Sequence, residues 1–225
     1  MIVRANDFAE KYRKDFEGEI ENINFDSNGK RKYTGDKDKA LNKNIKMMCV
    51  IFYGYVLEHG TIPSLDEFCK YTIRESHARA IGDETIEIDN KYGRRYRTTR
   101  QKLWDRLHIA IEPFLRECQL LIELSNKNID CWYDSNMDKD GVDIMCDFDG
   151  KKVGIASWVL TSDSVKRKKV KNVIHDDTYG EIKMIDAAIL LDGPQSKELK
   201  NGVVVYDEGA IAMYAAGIKF YGGEQ

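Results

Sequence analysis

The stretch from Gly141 to Trp158 constrains the fold more than any other part of the chain. Two short apolar runs flank Asp149-Gly150, a dipeptide that readily takes the positive φ angles of a tight hairpin turn. The pattern predicts two antiparallel strands, Val142–Phe148 and Lys152–Leu160, with one acid, Asp143, set inside the first.

The surrounding texture places this hairpin in an alternating segment. From Pro113 a helix is expected to Leu124, with the proline at an early helical position. A strand follows at Ile129–Tyr133, and then the hairpin. Thr161-Ser162-Asp163-Ser164 caps a helix to about Lys171, and the apolar run Met184–Leu191 reads as a central buried strand ended by Asp192-Gly193-Pro194. Val203–Tyr206 adds a strand, and Glu208–Ala216 a closing helix. The order from Pro113 is therefore helix, strand, strand, strand, helix, strand.

Upstream the pattern is helical. Phe8, Tyr12 and Phe16 stand at helical spacing, so residues 1–25 are expected to form an amphipathic helix. A polar connector follows to Lys39, and a long helix over about 39–58 ends at His59-Gly60. Ser64 and Glu67 make a capping box for a helix to Ile73. A short hairpin is expected around Glu84–Asp89, and a basic helix over about 98–111. The expected organisation is a helical module over 1–111, with a winged-helix-like part over 45–90, and an α/β domain over 112–225. Helices separated by Gly and Pro are equally common in plain packing modules, so DNA reading by the first module is one of two alternatives.

Charge narrows the function classes. The 225-residue chain carries a net charge of −3, which argues against attraction of the whole molecule to nucleic acid. The basic residues are nevertheless clustered. Arg94, Arg95, Arg97 and Arg100 lie in one stripe, and Lys166–Lys171 forms another. Each is either a solvated face or a phosphate contact. No apolar run approaches the ~20 residues of a membrane span, and the N-terminus lacks the apolar core of a secretory signal. Five cysteines without a CxxC pair fit buried, reduced thiols in a cytoplasmic protein.

The segment order together with Asp143 resembles the PD-(D/E)XK restriction-endonuclease-like superfamily over residues 113–192. That resemblance implies a mixed-sheet α-β-β-β-α-β domain in which a strand Asp and an acid-x-Lys triplet on the next strand hold Mg²⁺ and activate water. Asp143 matches the strand acid, and Glu117 or Glu123 on the preceding helix stands where some members add another. The triplet position reads Ile155-Ala156-Ser157, without acid or lysine. Lys152, Lys168 or His175 would have to substitute, and Lys152 faces the side opposite to Ser157 by strand parity. Asp143 is either a remnant metal ligand or an acid that caps a turn. The implied function is a nucleic-acid-engaging protein, weakly active with Mg²⁺ or catalytically lapsed, and its composition would suit a viral or mobile-element origin. The alternative is a non-enzymatic protein, without cofactor, that uses the fold to block a host protein or capture a nucleotide. Self-association through the apolar C-terminal segment stays open.

Two further patterns overlap these residues. Thr161, Ser162, Ser164, Arg167, Lys168 and Lys171 gather hydroxyls and cations at one expected helix start, which suits phosphate or simple N-capping. Asn136-x-Asp138-x-Asp140-Gly141-x₅-Asp147 partly fits a calcium loop, although its flanks read as strands and an ordinary acidic loop is the better explanation. Walker, HExxH and GxSxG motifs are absent from the sequence.

Overall fold

The structure, a computed structural model, describes residues 1–23, 39–89, 95–160 and 182–223. It is a mixed α/β fold built on a five-stranded sheet in the order β1-β5-β6-β7-β8. These strands are Ile2–Arg4, Asp130–Asp134, Ile144–Phe148, Lys151–Val159 and Lys183–Ile189. β1, β5, β6 and β7 run antiparallel to their neighbours, whereas β8 joins β7 in parallel.

The hairpin forms as its sequence predicts. Ile144 pairs with Ile155 and Phe148 with Lys151, and Asp149 and Gly150 turn the chain with φ values of 53° and 79°, as a type I′ turn requires. Four consecutive β7 residues, Val153 to Ala156, are buried, so both faces of this strand are covered. Gly154 is one of them because a Cβ there would meet the Met184 sulfur at 2.6 Å.

β8 lies in the same sheet but is its last described strand rather than a central one. Only Ala187 and Ile189 of it are buried, while Lys183 and Asp186 are exposed. Lys183 and Asp186 fall on opposite faces by strand alternation, so burial is confined to the C-terminal half of the strand.

The N-terminal residues do not form one helix. Ile2–Arg4 instead pairs with β5 as the first strand. A 3₁₀ turn (Ala5–Asp7) and two short helices follow, α1 (Glu10–Lys14) and α2 (Phe16–Glu21). Phe8, Tyr12 and Phe16 are still buried, so the aromatic spacing marked burial rather than helix length. The expected long helix is two, α3 (Lys39–Asn44) and α4 (Met48–His59). The chain breaks where Met47 takes an extended conformation at the α4 N-cap. α4 ends at Gly60 with φ 68°, a left-handed closure suited to glycine.

α5 (Leu65–Glu75) carries the expected capping box, in which Glu67 N–H donates to Ser64 Oγ at 3.3 Å and Ser64 N–H to Glu67 Oε2 at 2.8 Å. The expected hairpin after it is wider. β2 (Ala78–Ile81), β3 (Thr85–Asp89) and β4 (Arg95–Thr99) make a three-stranded antiparallel sheet.

The expected basic helix and the helix after Pro113 are one element, α6 (Arg100–Asn126), 27 residues long and capped by Thr99. Pro113 lies inside it, where its missing N–H removes one backbone bond without ending the helix. The domain boundary expected near residue 111 thus falls within a continuous helix. One buried cluster joins Val3, Phe52, Leu107, Leu121, Ile155 and Ile218, drawn from both expected domains.

α7 (Ser135–Lys139) was not legible in the sequence. With it, Asn136 and Asp138 lie on a helix and Asp147 on β6, where its carboxylate accepts Gly150 N–H at 2.9 Å. The calcium-loop pattern is therefore not a loop. β9 (Ser196–Glu198) and β10 (Val204–Tyr206) pair as a small ribbon, and α8 (Glu208–Gly223) runs longer than expected along β6, β7 and β8. Among the described residues no helix is long and apolar enough to cross a membrane.

Removing the α5 cap tests this local reading. Ser64→Ala should lower unfolding free energy by about 1 kcal/mol, read as a shift in the urea midpoint with an unchanged m-value.

Candidate functional site

The site forms where the start of β6 crosses β7 and α6. Asp143 N–H donates to the Ile155 carbonyl at 2.8 Å, which continues the ladder one step beyond β6. Its Oδ2 accepts the backbone N–H of Ser157 at 2.6 Å. The acid is held by the strand that, in the resembled family, would carry the triplet.

Ser157 is itself engaged. Its hydroxyl lies 2.9 Å from Tyr206 Oη, and Tyr206 Oη donates to the Ala187 carbonyl at 2.8 Å. The carbonyl can only accept, so the phenolic proton goes there and Ser157 must be the donor to Tyr206. Tyr206 is fixed in turn by Gln119 of α6. That amide donates to the Tyr206 carbonyl and accepts its N–H, both at 2.8 Å. Two residues before Tyr206, the Val204 carbonyl accepts from buried Arg116 at 3.1 Å.

Glu117, one residue further along α6, is 8% exposed. Burial pushes its carboxyl well above the ordinary range, and the negative charges of Asp143 and Asp138 add to that. Nearby, Tyr133 donates to Asp138 Oδ2 at 3.0 Å and stacks on Tyr53 with ring centroids 3.9 Å apart. Burial likewise pushes the Cys49 thiol up to about 12. The region is thus a network of hydroxyls, a thiol and a buried carboxyl behind Asp143.

The structure brings Asp143 and Glu117 together, as expected, and places Ser157 against both Asp143 and Tyr206. It does not bring Lys152 to them. That residue is exposed beside the turn, opposite Asp147, and five residues of strand put it ~16 Å along β7 from Ser157. Glu123 is half-exposed on α6 and is set among Lys127, Glu17 and Glu208 instead. Lys168, His175, Thr161, Ser162, Ser164, Arg167 and Lys171 lie outside the described residues, as does Arg94. Arg95 and Arg97 are on strand β4, not on a helix, and Arg100 opens α6.

Divalent-cation chemistry needs several hard oxygen ligands converging on one point. No group of three or more His, Cys, Asp or Glu side chains with that geometry occurs among the described residues. Ile155, at the acid position of the triplet, is fully buried. Sequence reasoning missed Tyr206, Gln119 and Arg116, whose roles rest on contacts between residues 49 to 88 positions apart.

Two outcomes follow for stability. Tyr206→Phe leaves Ser157 Oγ and the Ala187 carbonyl without their partner and should cost about 1–3 kcal/mol in urea unfolding. For Glu117 the folded carboxyl titrates above the unfolded one. The folded state therefore holds a proton that the unfolded state has lost, and stability falls as pH rises from the unfolded value. Glu117→Gln should raise the urea midpoint in chelator-treated protein at pH 7 and lose that advantage near pH 4.

The chain matches no known family model, no curated protein sequence and no solved structure.

Proposed function

We propose that the chain is a restriction-endonuclease-like protein that engages nucleic acid and whose cleavage site has lapsed. The observation that carries this reading is the state of Ser157. The position where the resembled family keeps its lysine holds a serine whose N–H is committed to Asp143 and whose hydroxyl is committed to Tyr206. The order α6, β5, β6, β7, broken only by the short α7 and followed by the parallel β8, supports the ancestry, as do Asp143 just ahead of β6 and Glu117 behind it.

Loss of one electrostatic catalytic group typically costs ~10²–10³ in rate. Here Ile155 stands at the acid position and cannot ligate Mg²⁺, and Ser157 stands at the lysine position without a cationic donor. The five free cysteines support a reducing, cytoplasmic setting.

Purified protein incubated with supercoiled plasmid and Mg²⁺ or Mn²⁺ should produce no nicking above background. Asp143→Ala should leave nucleic-acid binding within about two-fold of wild type. Robust cutting that disappears in Asp143→Ala would sink the lapsed-site reading. The competing reading, an inhibitor that docks on another protein through the same fold, draws on the same locked Ser157. Steep salt dependence of nucleic-acid binding favours the first, and salt-insensitive protein association without nucleic-acid binding favours the second.

A further inference from the structure

The three-stranded sheet carries a charge ladder far from Asp143. Arg79, Glu87 and Arg97 stand directly opposite one another on β2, β3 and β4, so they share one face, and Arg95 joins them by strand alternation. Ile86 and Ile88, on the other face, are completely buried. The Glu87 side chain is 2% exposed, whereas those of Arg79, Arg95 and Arg97 are 55%, 66% and 68% exposed. Glu87 Oε1 accepts from Arg79 Nε at 3.0 Å and Oε2 from Arg97 Nε at 2.9 Å. Arg95 Nε lies 3.9 Å from Oε1.

One carboxylate thus gathers three guanidiniums above it. A carboxylate offers about four lone-pair sites and each guanidinium five donors, so most donors of this cluster point to solvent. Asp89, opposite Arg95, offsets part of the charge. The remaining repulsion among guanidiniums held this close is what an incoming anion would relieve, and planar guanidinium forks are matched to phosphate oxygens.

A second feature adjoins this face. Asp89 and His77, which lie at the same end of the sheet as Arg95, line a cavity of about 600 Å³ together with Lys43 and Lys46. Lys46 is tied to Glu75 at 3.0 Å, while Lys43 is exposed. Among the described residues, five cations and three carboxylates therefore lie on this face and around the adjoining cavity.

We propose that this face is a docking surface for the phosphate backbone of duplex nucleic acid. The proposal rests on the nucleic-acid reading above and names the surface that carries it. Single-strand binders stack bases on exposed aromatic side chains, but the aromatic residue of β4, Tyr96, packs against the core. Among the described residues the ladder offers no stacking platform, and binding through phosphates implies affinity without sequence preference.

The test is fluorescence anisotropy of a labelled mixed-sequence duplex titrated with the full chain across a salt series. A variant with glutamine at all four ladder positions (Arg79→Gln, Glu87→Gln, Arg95→Gln, Arg97→Gln) removes the buried charge together with its partners. It should bind about ten-fold or more weakly at low salt, and its salt slope should be shallower by ~2–3, one step for each phosphate no longer neutralised. Lys43→Gln/Lys46→Gln, which leaves the sheet intact, should weaken binding about three-fold or more. It decides the matter if circular dichroism finds the first variant unfolded.

Wild-type protein that binds the duplex, with folded variants that bind it equally well, overturns this surface and leaves the nucleic-acid reading standing. Absence of wild-type binding even at low salt overturns both. A single strand bound as tightly as the duplex overturns the duplex assignment. Displacement by inorganic phosphate well beyond that by chloride at equal ionic strength assigns the face to a free phosphate instead.

Discussion

Helix α6 is the constraint on which the rest depends. Its buried residues run from Leu103 to Leu124, and it packs against the three-stranded sheet at one end and the five-stranded sheet at the other. Apolar burial over so long a helix offsets the hydrogen bond that Pro113 removes. The same helix carries polar side chains inward. Arg116, Glu117 and Gln119 are consecutive or nearly so, and all three are buried. Two of them satisfy backbone groups of β10, which would otherwise be costly to bury.

That arrangement explains the state of the candidate site. Gln119 fixes Tyr206, Tyr206 takes the Ser157 hydroxyl, and Ser157 N–H holds Asp143. Each link of this part-buried chain is a short hydrogen bond, and satisfied polar networks hold their side chains in place. Behind it, burial together with the charges of Asp143 and Asp138 raises the Glu117 carboxyl well above its ordinary range.

The charged surface sits at the other end of the helix. From Arg100 to Glu117 the axis advances ~25 Å, so the arginine ladder and Asp143 are separate regions joined by one rigid element. The proposed loss of cleavage and the proposed phosphate-binding face therefore draw on different residues and different physics. Phosphate binding needs exposed, oriented cations, and hydrolysis needs converging ligands.

The sequence by itself determined the features set by local geometry. Asp149-Gly150 specified the hairpin and its register, Ser64 and Glu67 the start of α5, Gly60 the end of α4, and the strand–helix order the α/β class. Its errors came where local signals were ambiguous or answered by distant partners. Ile2–Arg4 became a strand only because β5 offers an edge. Pro113 read as a helix start, yet it sits inside a helix whose burial overrides propensity. Arg95 and Arg97 read as part of a basic stripe, and only the pairing of β2, β3 and β4 set Glu87 beneath them. At the candidate site the sequence displayed Asp143 and Ser157. How the two are engaged was decided by tertiary structure, because Tyr206 lies 49 positions from Ser157 and no local pattern links two hydroxyls that far apart.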